Sequence, residues 1–421
     1  MPKMKPTSEK AKSASKVSSR SHLGERVPRL RFPEFEGEWI PTQLSKILHE
    51  RKSYAEKDGS YPHATLSKEG IYGKTERYDR DFLVSTENKE YKITLKDDLC
   101  YNPANLKFGV ICLNTFGSAI FSPIYVTFEI DKAYLPTFVG ASLTQKDFIG
   151  YALRFQQGTV YERMAVSPED LLSISRRFPS LAEQKKIASL VSLVDDRIAA
   201  QRKLVELLKK HKRGVIEQIF GRRLDMGKDA EKWDIVELRD LFSKVARRNR
   251  DGKVKNVITN SAEFGLIPQR DFFDKSIAVD GNTDGYYVIR TGDFVYNPRK
   301  STTAPFGPFN RYTGTEDGII SPLYTCLVPK GKANPDYLAW YFRSTAWHRY
   351  VYDNGSQGAR HDRVNMTDDL LFGIPVLLPP IAVQERIADG LNAIDARWSS
   401  ANKVLAHLEK MKRGLLQQLF A

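Results

Sequence analysis

From Ile187 the inward-facing positions advance by alternating steps of four and three: Ile187, Val191, Val194, Ile198, Gln201, Val205, Leu208, Lys212, Val215 and Ile219. From Ile387 the same steps reach Leu391, Ile394, Trp398, Ala401, Leu405, Leu408, Lys412, Leu415 and Leu419. Such spacing draws a narrow stripe along a helix, which is a heptad seam and not the broad face of a globular helix. Two coiled-coil helices are therefore predicted, each of about 35 residues and so about 50 Å long. Lys212 and Lys412 interrupt the seams at matching places, where a charge either fixes the register or snorkels at a frayed end. Gly214 and Gly414 each weaken a helix interior by about 1 kcal/mol, so their recurrence implies a kink or a close backbone approach.

Between the seams the pattern changes. Short β-rich runs occupy Lys92 to Leu95, Gly109 to Leu113 and Ile120 to Ile130, then Tyr286 to Ile289 and Leu323 to Val328. Each block also holds a helix-prone segment, so two α/β domains are expected. The dense aromatics after Pro335, namely Tyr337, Trp340, Tyr341, Phe342, Trp347 and Tyr350, fall at helical spacing and read as core before they read as base-stacking residues.

The chain is a duplication of unequal fidelity. Pro179 to Phe220 and Pro379 to Phe420 align without a gap at an offset of 200 and share 15 of 42 residues. Upstream only landmarks recur: Trp39 and Leu44 against Trp233 and Leu238, Tyr101-Asn102-Pro103 against Tyr296-Asn297-Pro298, and Ser122-Pro123 against Ser321-Pro322. Their offsets drift through 194, 195 and 199, so insertions lie between them. Related copies in one chain pack most simply about a local two-fold axis, with the two helices antiparallel and the two blocks at opposite ends. Two similar surfaces suit two copies of one partner, and two dissimilar surfaces suit two targets.

Composition narrows the classes. Three cysteines, Cys100, Cys112 and Cys326, show no C-x-x-C spacing, which argues against disulfides and zinc. No run is apolar enough to span a membrane and the start lacks a secretory signal, so a cytoplasmic protein is expected. The net charge of +14 favours a polyanionic partner, but residues 1–31 carry nine Lys or Arg against two Glu. Half of the excess thus sits on a Ser/Lys-rich tail that is either solvated or an unselective nucleic-acid contact.

Bases in the major groove are read by Arg or Lys on guanine and by Asn or Gln on adenine, which points to two polar loops per block. One follows the Tyr-Asn-Pro landmark, with Asn105 and Lys107 in the first copy and Arg299, Lys300 and Ser301 in the second. The other precedes a helix, with Gln157, Thr159 and Arg163 against Gln357, Arg360, His361 and Arg363. Gly158 and Gly358, with Arg163 and Arg363, keep the offset of 200 while the residues between them differ. Any one of these side chains reads as a phosphate contact or a solvated loop residue before it reads as a base reader.

Catalytic signatures fail. The Asn-Pro landmarks lack the second proline and aromatic residue of an adenine methyltransferase motif and read as turns. Gly73-Lys74-Thr75 has Lys68 where a phosphate loop needs glycine, and Asp280, Asn282 and Asp284 begin a calcium loop whose twelfth position is Thr291. No catalytic residue and no metal site is assigned.

The segment Arg29-Leu30-Arg31-Phe32-Pro33-Glu34-Phe35 with Gly37-Glu38-Trp39, the Pro-x-Leu-Ala-Glu-Gln run at Pro179 to Gln184, and its partner Pro379 to Gln384 resemble specificity subunits of type I restriction-modification systems. Val383 departs from the pattern where the first copy keeps Glu183. Composition sets apart a basic tail (1–28), which lies outside the resemblance; the resemblance implies a first target recognition domain (29–178), a spacer helix (179–221), a second recognition domain (222–378) and a second spacer helix (379–421). The expected fold is therefore two globular α/β recognition domains separated by two long helices in an antiparallel coiled coil, with pseudo-two-fold internal repetition.

The resemblance further implies that each domain reads one half of a bipartite, asymmetric site on double-stranded DNA while the helices set the spacer. It implies two methyltransferase subunits and motor-nuclease subunits as partners. S-adenosylmethionine, ATP and magnesium would belong to those partners, and this chain would bind no cofactor and catalyse nothing. The alternatives are the specificity subunit of another multi-subunit methyltransferase or nuclease, a DNA-modifying enzyme with unrecognised motifs, and an assembly factor that binds no nucleic acid.

Overall fold

The computed structural model describes residues 27–56, 59–74, 90–158, 164–221, 233–269, 283–355 and 362–420. Almost all of the basic tail, and Thr159, Arg163, Gln357, Arg360 and His361 among the candidate readers, lie outside them. So do Asp280 and Asn282 of the imitation calcium loop.

Two compact units divide the chain, one of residues 1–201 with 404–421 and one of residues 202–403. The first holds β1 (Ile40–Gln43), β2 (Leu48–Glu50), β3 (Tyr54–Ala55), β4 (Ala64–Ser67), β5 (Gly70–Gly73), β6 (Tyr91–Thr94), β7 (Leu99–Tyr101), β8 (Ile111–Leu113), β9 (Ala119–Phe121), β10 (Val126–Ile130) and β11 (Ser175–Phe178). Its short helices are α1 (Pro136–Leu143), α2 (Lys146–Ala152) and α3 (Pro168–Ser173), followed by the long helix α4 (Leu181–Phe220). The second unit holds β12 (Asp234–Glu237), β13 (Phe242–Lys244), β14 (Ile258–Ser261), β15 (Gly265–Pro268), β16 (Tyr287–Ile289), β17 (Phe294–Tyr296), β18 (Phe309–Arg311), β19 (Gly318–Ile320), β20 (Thr325–Pro329) and β21 (Pro375–Leu378). Its helices are α5 (Leu238–Leu241), α6 (Pro335–Phe342), α7 (His348–Asn354), α8 (Asp368–Phe372) and the long α9 (Ile381–Phe420).

The repeat extends to topology. A four-stranded antiparallel sheet of order β2-β10-β7-β8 recurs as β13-β20-β17-β18, and the pair β1-β11 recurs as β12-β21. The central strands read as apolar runs because both faces are covered: Leu99, Cys100 and Tyr101 are all buried, as are Phe294, Val295 and Tyr296. The run expected to be continuous from Ile120 to Ile130 is two strands. Pro123 has no N–H to give a ladder, and the Tyr125 N–H instead closes a turn on the Ser122 carbonyl at 3.1 Å. The same turn recurs where Tyr324 N–H reaches the Ser321 carbonyl at 3.1 Å.

Each long helix has 40 residues, about 60 Å at 1.5 Å per residue, so the helices outrun the seam at both ends. Each also passes from one unit into the other. In the first unit Ile187, Ala188 and Val191 of α4 share a core with Leu415, Leu416, Leu419 and Phe420 of α9. In the second Val383, Ile387, Ala388 and Leu391 of α9 share a core with Ile216, Ile219 and Phe220 of α4. The start of one helix therefore meets the end of the other, which makes the pairing antiparallel within each unit. Of the remaining seam positions, Ile198, Gln201, Val205 and Ala401 are buried, and Val194, Leu208, Ile394, Trp398, Leu405 and Leu408 are half-buried.

The repeated residues now acquire reasons. Phe420 packs edge-on to Trp39 at 6.3 Å and against Phe138 at 5.2 Å, while Phe220 packs against Tyr337 at 5.6 Å and Tyr341 at 5.5 Å. Burying each ring contributes about 1.5 to 3 kcal/mol. Gln184 donates to the Pro179 carbonyl at 3.0 Å and accepts the Leu135 N–H at 3.0 Å; Gln384 donates to Pro379 at 2.7 Å and accepts from Asn334 at 2.8 Å. Both amides thus tie the strand-to-helix corner to the start of α1 or α6. Lys212 pairs with Asp395 at 2.6 Å and stands 4.1 Å over the Trp398 ring; Lys412 pairs with Asp195. The seam lysines are therefore ion-paired register markers and not frayed ends.

The glycines differ from expectation. A Cβ at Gly214 or Gly414 would meet nothing within 4 Å, so no backbone approaches them and the helices continue through both. The aromatic segment is core, with Tyr337, Trp340, Tyr341, Phe342 and Trp347 all buried.

Candidate nucleic-acid interface

Both candidate loops are built on one scaffold that each unit repeats. Asn102 and Asn297 are buried at the ends of β7 and β17, and their main-chain N–H groups donate to Val110 and Pro308, each at 3.0 Å. The Asn102 side chain accepts from Ala104 and Asn105, capping a 3-10 helix at Pro103–Phe108, and the Asn297 side chain accepts from Arg299. The loops close on Gly109 at φ 81° and Gly307 at φ 84°, a left-handed conformation that glycine adopts without strain. A Cβ on Gly307 would lie 2.0 Å from the Asn297 carbonyl oxygen, so the second loop also needs glycine for space. From the asparagine to the glycine the second loop is three residues longer. That insertion moves the offset from 195 to 198, the largest single step in its drift, and the longer loop carries Arg299, Lys300 and Ser301.

The structure brings the two loops of each block together. Val166 N–H reaches the Pro103 carbonyl at 3.3 Å, and Val364 N–H reaches Pro298 at 2.9 Å. The helices that follow are capped alike, by Ser167 on Asp170 and by Thr367 on Leu370. Counted back from these caps, the residue that meets the proline shifts by two between copies. Around this junction the units present different chemistry.

In the first unit Asn105 is half-buried and its main chain serves the turn, while Lys107 is exposed beside the exposed Phe108 ring, 5.1 Å from its centroid. Gln157 exchanges both main-chain hydrogen bonds with Ala165 at 2.9 Å, and its side chain donates to Asp170 at 3.2 Å. In the second unit Arg299 faces Arg363 across an antiparallel bridge, and Lys300 N–H donates to the Asp362 carbonyl at 2.8 Å. Ser301 is exposed and accepts the Ala304 N–H, shaping the loop tip. Burial pushes the Tyr324 hydroxyl up, and Arg299 and Arg363 oppose that rise, so both guanidinium groups act on one phenol. The sequence singles out these residues as candidates but not their contact, because the bridge joins positions 64 apart.

Behind the first unit's domain lies an electrostatic brace built on Glu183, a residue the second copy lacks. Arg31 grips Glu183 with two hydrogen bonds at 2.9 and 2.8 Å, and Trp39 Nε1 donates to the same carboxylate at 3.2 Å. The second copy substitutes buried Val383, and among the described residues Trp233 Nε1 has no partner. Val383 is packing where Glu183 is a clamp.

No group of His, Cys, Asp and Glu suited to a metal occurs among the described residues, and no helix among them is long and apolar enough to cross a membrane. Burial pushes the Cys100, Cys112 and Cys326 thiols up to about 12, which leaves them poor nucleophiles.

Over 91–94% of its length the chain superposes on two solved structures that themselves match over 97–99%. One is the S subunit of a type I restriction-modification system from M. genitalium, with TM-score 0.54 and 13% identity; the other belongs to a study of complex assembly and conformational transition of the type I system, with TM-score 0.53 and 16% identity. The chain folds as a type I specificity subunit. Among curated proteins, the MjaX type I specificity subunit of Methanocaldococcus jannaschii is 25% identical over 65% of the chain, and the MjaVIII specificity subunit of that organism is 31% identical over 57%. The alignments span 66% and 60% of those specificity subunits' own lengths. No protein-family model matches the chain.

Proposed function

We propose that the chain is the DNA specificity subunit of a type I restriction-modification enzyme. Each α/β domain reads one half of a bipartite, asymmetric sequence, and the paired helices set the number of unread base pairs between the halves. One observation carries the reading: corresponding scaffolds, each with a buried asparagine that accepts loop N–H groups, a positive-φ glycine and a proline-carbonyl junction, display unlike side chains in the two units. A duplicated enzyme would instead keep its reactive groups alike. Mapping methylated adenines in cells with and without the intact gene tests the proposal, and a bipartite motif that persists without the gene would end it.

The repeated helices are the docking surface for two methyltransferase subunits in this reading. Seven of the fifteen repeated residues are exposed in both copies, namely Ala182, Arg197, Lys203, Lys210, Arg213, Gly214, Gln218 and their counterparts 200 positions on. Packing does not require them. Lys210, Gly214 and Gln218 step by four along α4 and so share one side of it. S-adenosylmethionine belongs to those methyltransferase subunits, and ATP and magnesium to motor-nuclease subunits. This chain contributes address and geometry, in the cytoplasm, without catalysis.

A further inference from the structure

In the second unit two arginines stand where electrostatics alone would not place them. Arg299 and Arg363 oppose each other across an antiparallel bridge, which puts their side chains on one face with Cβ atoms about 5 Å apart. Like charges directly opposite in such a pair are destabilising. The bridge is nonetheless anchored firmly, by Val364 N–H on the Pro298 carbonyl at 2.9 Å and Lys300 N–H on Asp362 at 2.8 Å. Relief is slight: Asp362 lies 3.7 Å from the Arg299 Nε, beyond hydrogen-bond reach, and Arg299 stays 68% exposed. Arg363 is half-buried, and its Nε has no partner among the described residues. In the first unit the residues flanking the same proline junction are Ala104 and Ala165.

We infer that Arg299 and Arg363 form a paired guanine reader, so that the half-site addressed by the second unit contains guanine at one or two adjacent base pairs. The inference rests on the specificity reading and gives one half of the site its chemistry. A single isolated bridge holds the two arginines side by side, and a guanidinium fork matches O6 and N7 of guanine in the major groove. Base pairs stack about 3.4 Å apart, so side chains from opposing strands about 5 Å apart reach neighbouring steps. Guanine acceptors between the two cations supply the charge relief that the protein withholds.

The test uses the full chain co-purified with its partner subunits and duplexes carrying the site defined by adenine methylation in cells. Each guanine is replaced in turn by 7-deazaguanine, which removes only the N7 acceptor. The expected result is an affinity loss of about 10- to 100-fold at one or two adjacent positions of one half-site. The R299A/R363A double variant is expected to bind modified and unmodified duplexes equally and to keep its preference at the other half-site, which also shows that it is folded. R299K/R363K is expected to keep the salt dependence while losing the guanine preference. A selective chain indifferent to every 7-deazaguanine, or a half-site whose preference survives R299A/R363A, overturns the guanine assignment alone and makes the pair a phosphate contact. A chain that selects no sequence overturns the specificity reading as well.

Discussion

Replacing Glu183 by valine imports into the first unit the residue that the second unit tolerates, and the outcomes should differ sharply. Glu183 is 2% exposed and Arg31 13%, joined by two hydrogen bonds, with Trp39 Nε1 as a third donor. In E183V the guanidinium keeps its bonds to the Gly37 and Glu36 carbonyls but loses its counter-charge, and the buried indole N–H loses its acceptor. Removing one partner of a buried pair destabilises by about 3 to 5 kcal/mol. For a unit of this size that lowers the melting temperature by about 6 to 20 °C. Calorimetry of the full chain should show one transition moving while the other stays, since the second unit carries Val383 already. E183Q, which keeps an acceptor, should lose less, and R31M/E183V should recover at least about 1.5 kcal/mol relative to E183V by removing the stranded charge. An E183V chain within about 0.5 kcal/mol of wild type would show that the brace is not structural and that the argument from Val383 is wrong.

The remaining predictions concern the repeat. Q184A and Q384A break the same two hydrogen bonds in different units, so each should cost about 1 to 3 kcal/mol, and unequal effects in urea titrations would refute the equivalence of the two corners. Exchanging Lys212 and Asp395 as K212D/D395K should recover about 0.5 to 1 kcal/mol lost by either change alone, a coupling that a double-mutant cycle measures. Deleting one heptad from each long helix should change the spacer in the methylated motif and leave both half-sites intact; an unchanged spacer refutes the measuring role. With thiols pushed up to about 12, the three cysteines should react with maleimide at pH 8 about a thousandfold more slowly than free cysteine, and freely once the chain is denatured.

Periodicity and self-comparison determined much of this protein without coordinates. Steps of four and three require a seam, because only residues that return to one side of a helix can stay out of water together. An offset held at 200 through 42 residues but drifting elsewhere separates constant from variable parts. Local rules missed what depends on folding. The Ile120 to Ile130 run is apolar enough for one strand, yet Pro123 breaks it. Gly214 and Gly414 suggested a close approach, but open space surrounds them and no packing accounts for their recurrence. Tertiary structure alone decided that Phe220 and Phe420 serve as core residues in the unit reached by the far end of each helix, that Glu183 is a clamp where Val383 is packing, and that Arg299 meets Arg363. Those facts join residues far apart in the chain, and pattern reading has no term for long-range contact: a charged loop residue looks the same in sequence whether it stands alone or is held against another charge.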